Sequence, residues 1–341
     1  MSSTRNTIQF GRFTIGAGHP VFVIAEAGVA HFGSIETAFK LVDMAVAAKA
    51  DAVKFQIFKT DSLISHVNPE WRERLRPKEL PYDAFKLIKT YCEQSGILFL
   101  ATAHEEESAD FLATLEVPVY KIGSGEVENL PYFAHLASKG KPLIISTGLH
   151  DETAIQAILD TCHAVGNRAI VLLHCNTAYP TPVEQSNLRT LGWLAKRFKV
   201  PVGYSDHTIG TTVPLAAVAL GACVIEKHIC IDKNTPGSQD CKVACDAEDL
   251  PKLVQAIRDI EAALGSEEKT VAAAAQKSFD WARKSLVVTQ SLPAGAVITA
   301  AYLVAKRPGT GITPARVREV IGKKLRCAVQ ADTLLRWEDL T

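Results

Sequence analysis

The sequence has no surplus of charge of either sign: 37 Lys and Arg stand against 37 Asp and Glu in 341 residues. A neutral chain has no overall field to draw in nucleic acid or an anionic membrane surface, so any anion must be held by a local cluster. Long hydrophobic runs are also lacking. The longest, such as Leu215 to Ile225, are about half of the roughly 20 residues a membrane span needs. Met1-Ser-Ser-Thr-Arg5 does not lead into the apolar core of a secretory signal, so the cytoplasm is the expected location. Cysteine is sparse, eight in all, and several lie inside apolar runs such as Leu172-Leu-His-Cys-Asn176. Cys230, Cys241 and Cys245, with His228 upstream, lack the CxxC pair of a zinc site. Reduced, mostly buried thiols are expected, and no cysteine is read as a nucleophile.

What is present is an ordinary globular composition, 47% hydrophobic and 22% charged, whose length suggests about two domains. Eight short apolar runs recur with helical patterns between them: Val21 to Ala27, Ala52 to Phe58, Ile97 to Ala103, Val119 to Ser124, Pro142 to Thr147, Ile170 to Asn176, Val202 to His207 and Cys223 to His228. Their near-continuous hydrophobicity suits parallel strands buried on both faces. Eight βα units in about 245 residues predict an α/β fold, a (β/α)8 TIM barrel over 20–264. A doubly wound open sheet is the alternative, with fewer strands and one Gly-rich loop. Residues 1–19 alternate around Gly11 and predict a small capping hairpin; 265–284 read as a linker with some helix. Residues 285–341 form a turn-rich module of about 57 residues, small enough to need a surface to dock on.

In such a barrel the chemistry sits at the C-terminal ends of the strands. Those ends carry Glu26; Lys54 and Gln56; Thr102 and His104; Lys121, Ser124 and Glu126; Ser146 and Thr147; His174, Asn176 and Thr177; Ser205, Asp206 and His207; and Glu226, Lys227 and His228. Strand alternation puts Lys54 and Gln56 on one face with Phe55 opposite, and Glu226 and His228 on one face with Lys227 opposite. A lysine inside an apolar strand needs an anion or carboxylate, because an unpaired buried charge costs several kcal/mol. Lys54 is therefore read either as half of a structural ion pair with Glu26 or, with Lys121 and the surrounding hydroxyls, as part of a cationic site for phosphate and carboxylate. His207 and His228 end neighbouring strands, so both imidazoles can reach one divalent metal.

The motifs Ala25-Glu-Ala-Gly28, Val53-Lys-Phe-Gln56, Lys121-Ile-Gly-Ser-Gly-Glu126, Ser146-Thr-Gly148, Tyr179-Pro-Thr-Pro182, Gly203-Tyr-Ser-Asp-His-Thr208, Glu226-Lys-His228 and Lys306-Arg-Pro-Gly309 resemble those of the bacterial sialic acid synthases, over nearly the whole chain in order. The resemblance implies a transferase that makes nonulosonic acids by condensing phosphoenolpyruvate with an N-acetylhexosamine, N-acetylmannosamine or a 2,4-diacetamido-trideoxyhexose. By motif, Lys54, Thr102, Lys121, Ser124, Ser146 and Ser205 would bind phosphoenolpyruvate; Thr177 joins them, with Asn176 as the open alternative for the group facing phosphate. His207 and His228 would hold Mn2+ or Mg2+, and Glu26, Gln56, Glu126, Tyr179 and Asp240 would line the sugar side. Glu26, Lys54, Gln56, Lys121 and Glu126 are the implied catalytic set. Residues 285–341 resemble the family's C-terminal antifreeze-like (SAF) domain, which implies a homodimer in which this domain covers the partner's barrel mouth and Arg307 reaches the sugar's N-acyl group.

The chain departs from the family's pattern at Val29-Ala-His-Phe-Gly-Ser34, Thr102-Ala-His-Glu105 and Pro236-Gly-Ser-Gln-Asp240, mostly on the implied sugar side. An unchanged reaction with an atypical aldehyde acceptor is expected. A Schiff-base aldolase using Lys54 or Lys121, a synthase acting on a phosphorylated sugar, and a non-enzymatic carbohydrate-binding protein are the competing readings.

Overall fold

A computed structural model describes residues 7–236 and 238–341, with Asp280 described by its backbone alone. Residues 1–6 of the expected N-terminal segment and Gly237 of the 236–240 motif lie outside the described residues. The chain divides into two compact units, Met1–Gly265 and Ser266–Thr341.

In the first unit, β1 (Ile8–Phe10) and β2 (Phe13–Ile15) pair as an antiparallel hairpin. Eight parallel strands follow: β3 (Phe22–Gly28), β4 (Ala52–Ile57), β5 (Leu98–Ala103), β6 (Tyr120–Ile122), β7 (Leu143–Ser146), β8 (Ile170–Cys175), β9 (Val202–Asp206) and β10 (Val224–His228). They close in the order β10-β3-β4-β5-β6-β7-β8-β9, which settles the barrel against the open sheet. Seven of the eight predicted runs contain their strands and the first, Val21 to Ala27, falls one residue short of Gly28, with boundaries moved by a residue or two. Closure is reinforced from outside, where Arg258 of the last barrel helix donates to the carbonyl of Val21 (2.8 Å) and to Asp51 (2.9 Å), and Asp51 accepts from the amide of Val23 (2.8 Å).

The period of two sorts every strand. Outward residues such as Val23, Ala25, Phe55 and Phe99 pack under the helices, while Phe22, Ile24, Ala52, Leu100, Val119, Ile144, Val171, Leu173 and Val224 fill the interior together with Ile8, Phe10 and Ile15 of the hairpin. Going up each strand the inward series turns polar: Phe22 and Ile24 give way to Glu26, Ala52 to Lys54, Leu100 to Thr102, Ile144 to Ser146. The barrel is thus an apolar plug below and a polar cup above. The helices that follow start on caps set just past the strand ends, Ser34 on Ile35–Ala47, Glu105 on Glu106–Thr114 and Asp151 on Glu152–Ala164.

The second unit is built on β11 (Ser285–Val288) paired antiparallel with β12 (Leu303–Lys306), around a core that includes Leu286, Val288, Ile298 and Leu335. Short helices at Ala273–Gln276 and Phe279–Ala282 precede it. No helix among the described residues is long and apolar enough to cross a membrane.

Interior packing leaves no room at Gly203, where a Cβ would lie 2.6 Å from the Val224 Cβ and 2.7 Å from the Leu173 Cδ2. Gly203→Ala should cost about 1–3 kcal/mol of stability by overpacking. Gly192, exposed in helix Thr190–Phe198 with open space around it, should instead gain about 0.5–1 kcal/mol on replacement by Ala. Urea midpoints check both signs; a neutral Gly203→Ala would show the interior to be loosely packed.

Candidate active site

The polar cup is a cavity at the C-terminal end of the strands, and its floor is a cluster of four charges. The Lys54 Nζ lies 2.7 Å from Glu26 and 3.6 Å from Glu226, and the Lys121 Nζ lies 3.3 Å from Glu226. All four side chains are buried. Burial alone would depress the Lys54 ammonium, but Glu226 and Glu26 outweigh it and its pKa ends above the ordinary value. Lys121 has one carboxylate contact and a like charge nearby, so burial wins and its pKa falls. The carboxylates divide in the same way. Burial pushes Glu226 up, yet its position between two ammonium groups brings it down to about 2. Glu26 has one close ammonium and Glu226 as a like-charged neighbour, so burial raises its pKa. Glu226 is held ionised, and Glu26 is left the more basic of the two carboxylates.

Hydroxyls ring this cluster. Thr102 accepts from Lys54 (3.1 Å), and Ser205 donates to Glu226 (2.9 Å). Ser124 accepts from the amide of Gly148 (2.9 Å) and contacts the Cys175 Sγ at 3.2 Å. Gly148 makes this convergence possible: a Cβ there would meet the Thr177 Oγ1 at 2.6 Å and the Cys175 Sγ at 2.9 Å. The Ser146 hydroxyl lines the cavity, is buried, and has no hydrogen-bond partner among the described residues. An orphaned buried hydroxyl is costly, and one that shares a cavity with two ammonium groups is free to donate to an anion there. Thr177 lines the cavity, whereas the Asn176 side chain donates to the carbonyl of Gln185 (2.6 Å).

On the adjoining wall His207 and His228 face each other with ring centroids 5.4 Å apart. Burial lowers both pKa values, that of His207 to about 4, so both imidazoles are neutral at ordinary pH. The His207 Nδ1 sits 2.6 Å from the carbonyl of Asn176 and must carry the proton, which leaves the Nε2 lone pair to accept from the Tyr179 hydroxyl at 3.0 Å. Neutral rings, one with its tautomer fixed by a carbonyl, fit a divalent metal. No group of three or more His, Cys, Asp or Glu side chains suited to a metal occurs among the described residues, so an ion on these two histidines would take its other ligands from water or substrate.

Most of the expected site residues are therefore together: Glu26, Lys54, Gln56, Thr102, Lys121, Ser124, Ser146, Thr177, Tyr179, Ser205, His207 and His228 line one cavity. Gln56 donates to Glu26 at 3.3 Å. Glu126 and Asp240 are not among the lining residues. The Glu126 carboxylate accepts from the Asn129 side chain (2.7 Å), and Asp240 lies on helix Gln239–Val243, close enough to influence the charge of His228. Arg307 belongs to the second unit, where it donates to the carbonyl of Ala282 (3.0 Å). The polar strand ends also split by parity. His174 turns outward to the carbonyl of Ser186, and Lys227 forms a buried ion pair with Asp206 outside the cup. Glu226, Cys175 and His104 line the cavity without having been assigned a role; inward parity marked Glu226, but its bridging of two lysines depends on barrel closure.

The NeuB family model matches residues 41–269, and the SAF domain model matches 283–341. The chain is 41% identical over 342 residues to the N,N'-diacetyllegionaminic acid synthase of Legionella pneumophila, covering 95% of this chain and 96% of that one. It is 39% identical to the enzyme of the same name from Campylobacter jejuni, over 92% and 98% of the two chains. Its fold superposes on the crystal structure of the N-acetylneuraminic acid synthetase of Leptospira borgpetersenii with a TM-score of 0.76 at 32% identity, covering 80% of this chain and 95% of that one. A barrel and a terminal module matched in this order, over nearly the full length of named synthases, place the chain in the NeuB family of nonulosonic acid synthases, with a C-terminal SAF domain.

Proposed function

We propose that the protein condenses phosphoenolpyruvate with the open-chain aldehyde of an N-acetylated hexosamine and releases phosphate by C–O cleavage. The observation that carries this reading is the buried pair Lys54 and Lys121 beside the orphaned Ser146 hydroxyl, a site shaped for a small, multiply charged anion. The two relatives named as N,N'-diacetyllegionaminic acid synthases favour a 2,4-diacetamido-trideoxyhexose over N-acetylmannosamine as the acceptor.

Lys54, Lys121, Thr102, Ser124, Ser146, Thr177 and Ser205 hold the phosphate and carboxylate of phosphoenolpyruvate. Its C3 attacks the aldehyde carbon, and positive charge develops at C2. Glu26 is the carboxylate best placed to stabilise that cation and to take a proton from the water that adds there, because it lines the cavity and Gln56 orients it. The tetrahedral intermediate then expels phosphate, which Lys121 and the hydroxyls receive. A divalent Mn2+ or Mg2+ held by His207 and His228 would supply Lewis-acid polarisation of the aldehyde oxygen. Glu126 and Asp240 act from the rim on the sugar, with Tyr179.

A homodimer fits the rim of the cup. Phe32, Leu149, Val183, Ile209 and Ile231 are exposed apolar side chains on the loops that leave the strand ends. A partner's SAF domain, bringing its own copy of Arg307 to the acceptor, would cover them and exclude water from the intermediate.

The lowered pKa of Lys121 is the observation that favours a second reading, a Schiff-base aldolase, because a less basic amine is the better nucleophile. Borohydride trapping with pyruvate separates the two: a stable adduct on Lys121 would support the aldolase, and phosphate release from phosphoenolpyruvate without an adduct supports condensation.

His207→Ala and His228→Ala should each lower condensation on the order of 100-fold or more while the fold is kept, with parallel loss of Mn2+ affinity by calorimetry. Full activity in the double variant would remove the metal from the account. Arg307→Ala should raise the acceptor KM about tenfold and leave that of phosphoenolpyruvate nearly unchanged. At an acceptor concentration well below the raised KM, mixing Arg307→Ala with inactive Lys121→Met protein should lift the rate above that of Arg307→Ala alone through hybrid dimers; no rise after subunit exchange argues that Arg307 does not serve a partner's site.

A further inference from the structure

His104 stands where the wall of the cup is otherwise bare. Its amide donates to the carbonyl of Ile57 at 3.2 Å, so it extends the β4–β5 ladder one step beyond Ala103 and shares inward parity with Thr102. The next residue fixes it from behind. The Glu105 carboxylate accepts from the amides of Lys59 (3.0 Å) and Ser108 (2.7 Å), tying the loops after β4 and β5 together. The ring lines the same cavity as Lys54 and Lys121 and meets Phe58 edge-on at 6.3 Å. Beside it, above Lys121, the lining residues are Gly123 and Gly125, and a Cβ on either would meet nothing within 4 Å. In the closed strand order β5 lies directly across the barrel from β9, so His104 faces the wall that carries His207.

Resting on the condensation reading, we propose that His104 is a specificity-determining residue for the acceptor: its imidazole hydrogen-bonds an uncharged hydroxyl or acetamido substituent of the sugar, in the open space before Gly123 and Gly125. The chemistry of the ring sets the class of group. Burial, with Lys54 and Lys121 nearby, lowers its pKa to about 4, so it is neutral and offers one N–H donor and one lone pair. A hydroxyl or a secondary amide matches that pair of functions. A sugar whose aldehyde end is at the histidine wall spans the mouth toward β5, so the group that His104 reads is one remote from the reacting carbon.

The test compares wild type, His104→Phe and His104→Gln with a 2,4-diacetamido-trideoxyhexose and with N-acetylmannosamine. Initial rates of phosphate release are measured against each substrate, and acceptor and phosphoenolpyruvate binding are measured separately by ligand-observed NMR. His104→Phe, which keeps the ring's bulk, should raise the acceptor KM about tenfold, weaken acceptor binding in step, change the preference between the two sugars, and leave phosphoenolpyruvate affinity within about twofold. His104→Gln should recover part of the loss. An unchanged acceptor KM and preference in His104→Phe, in the presence of wild-type turnover, overturns the inference and leaves the condensation reading standing. Equal weakening of both substrates also overturns it, by moving His104 to the phosphoenolpyruvate side. A wild type that binds phosphoenolpyruvate and neither binds nor converts either sugar overturns the acceptor reading and this inference with it.

Discussion

Two ammonium groups buried in the middle of a barrel are the constraint around which this protein is arranged. Desolvating Lys54 and Lys121 would be prohibitive without compensation; Glu26 supplies it from β3, beside the Lys54 strand, and Glu226 from β10, directly across the barrel from the Lys121 strand β6. Glu226 serves both lysines and is held ionised, whereas burial raises the pKa of Glu26 and lowers that of Lys121. The Ser146 hydroxyl stands beside this cluster without a partner. In a chain with no net charge, such a local gathering of ammonium groups and hydroxyl donors is what anion recognition has to rest on.

The apolar half of the barrel supports this cluster. The hairpin residues Phe10 and Ile15 and the layers containing Phe22, Ile144 and Val171 seal the cup from below, so its charges see little water from that side. The change from apolar to polar takes place within single strands, between Ile24 and Glu26 or between Leu100 and Thr102. It follows that the scaffold and the site cannot be separated into different segments, and a methyl group added at Gly203 would disturb both.

Much of this was legible in the sequence because a barrel strand leaves a simple trace: apolar on both faces below, polar on the inner face above. The parity of Lys54 with Gln56, and of Glu226 with His228, identified inward residues correctly, and the hairpin was visible in the alternation around Gly11. What was not legible depends on neighbours distant in sequence. The choice of Thr177 over Asn176 for the cavity rests on a carbonyl of Gln185 that captures the Asn176 amide. The bridging of two lysines by Glu226 needs β10 to close onto β3. The Glu126 carboxylate turns to Asn129 within its own turn, something that a motif match cannot show. Lys227 and His174 stood among the polar strand ends, yet their parity sends them outside the cup, to Asp206 and to Ser186.

The central claim is that the lysine cluster is a phosphoenolpyruvate site, and the most direct measurement is calorimetric titration of phosphoenolpyruvate into the protein without acceptor. Binding to the wild type that inorganic phosphate competes away, that weakens at least tenfold in Lys121→Met and that weakens measurably in Ser146→Ala is the predicted result. Affinity that is the same in wild type and in Lys121→Met, or no binding to a folded wild type, would contradict the account at its base.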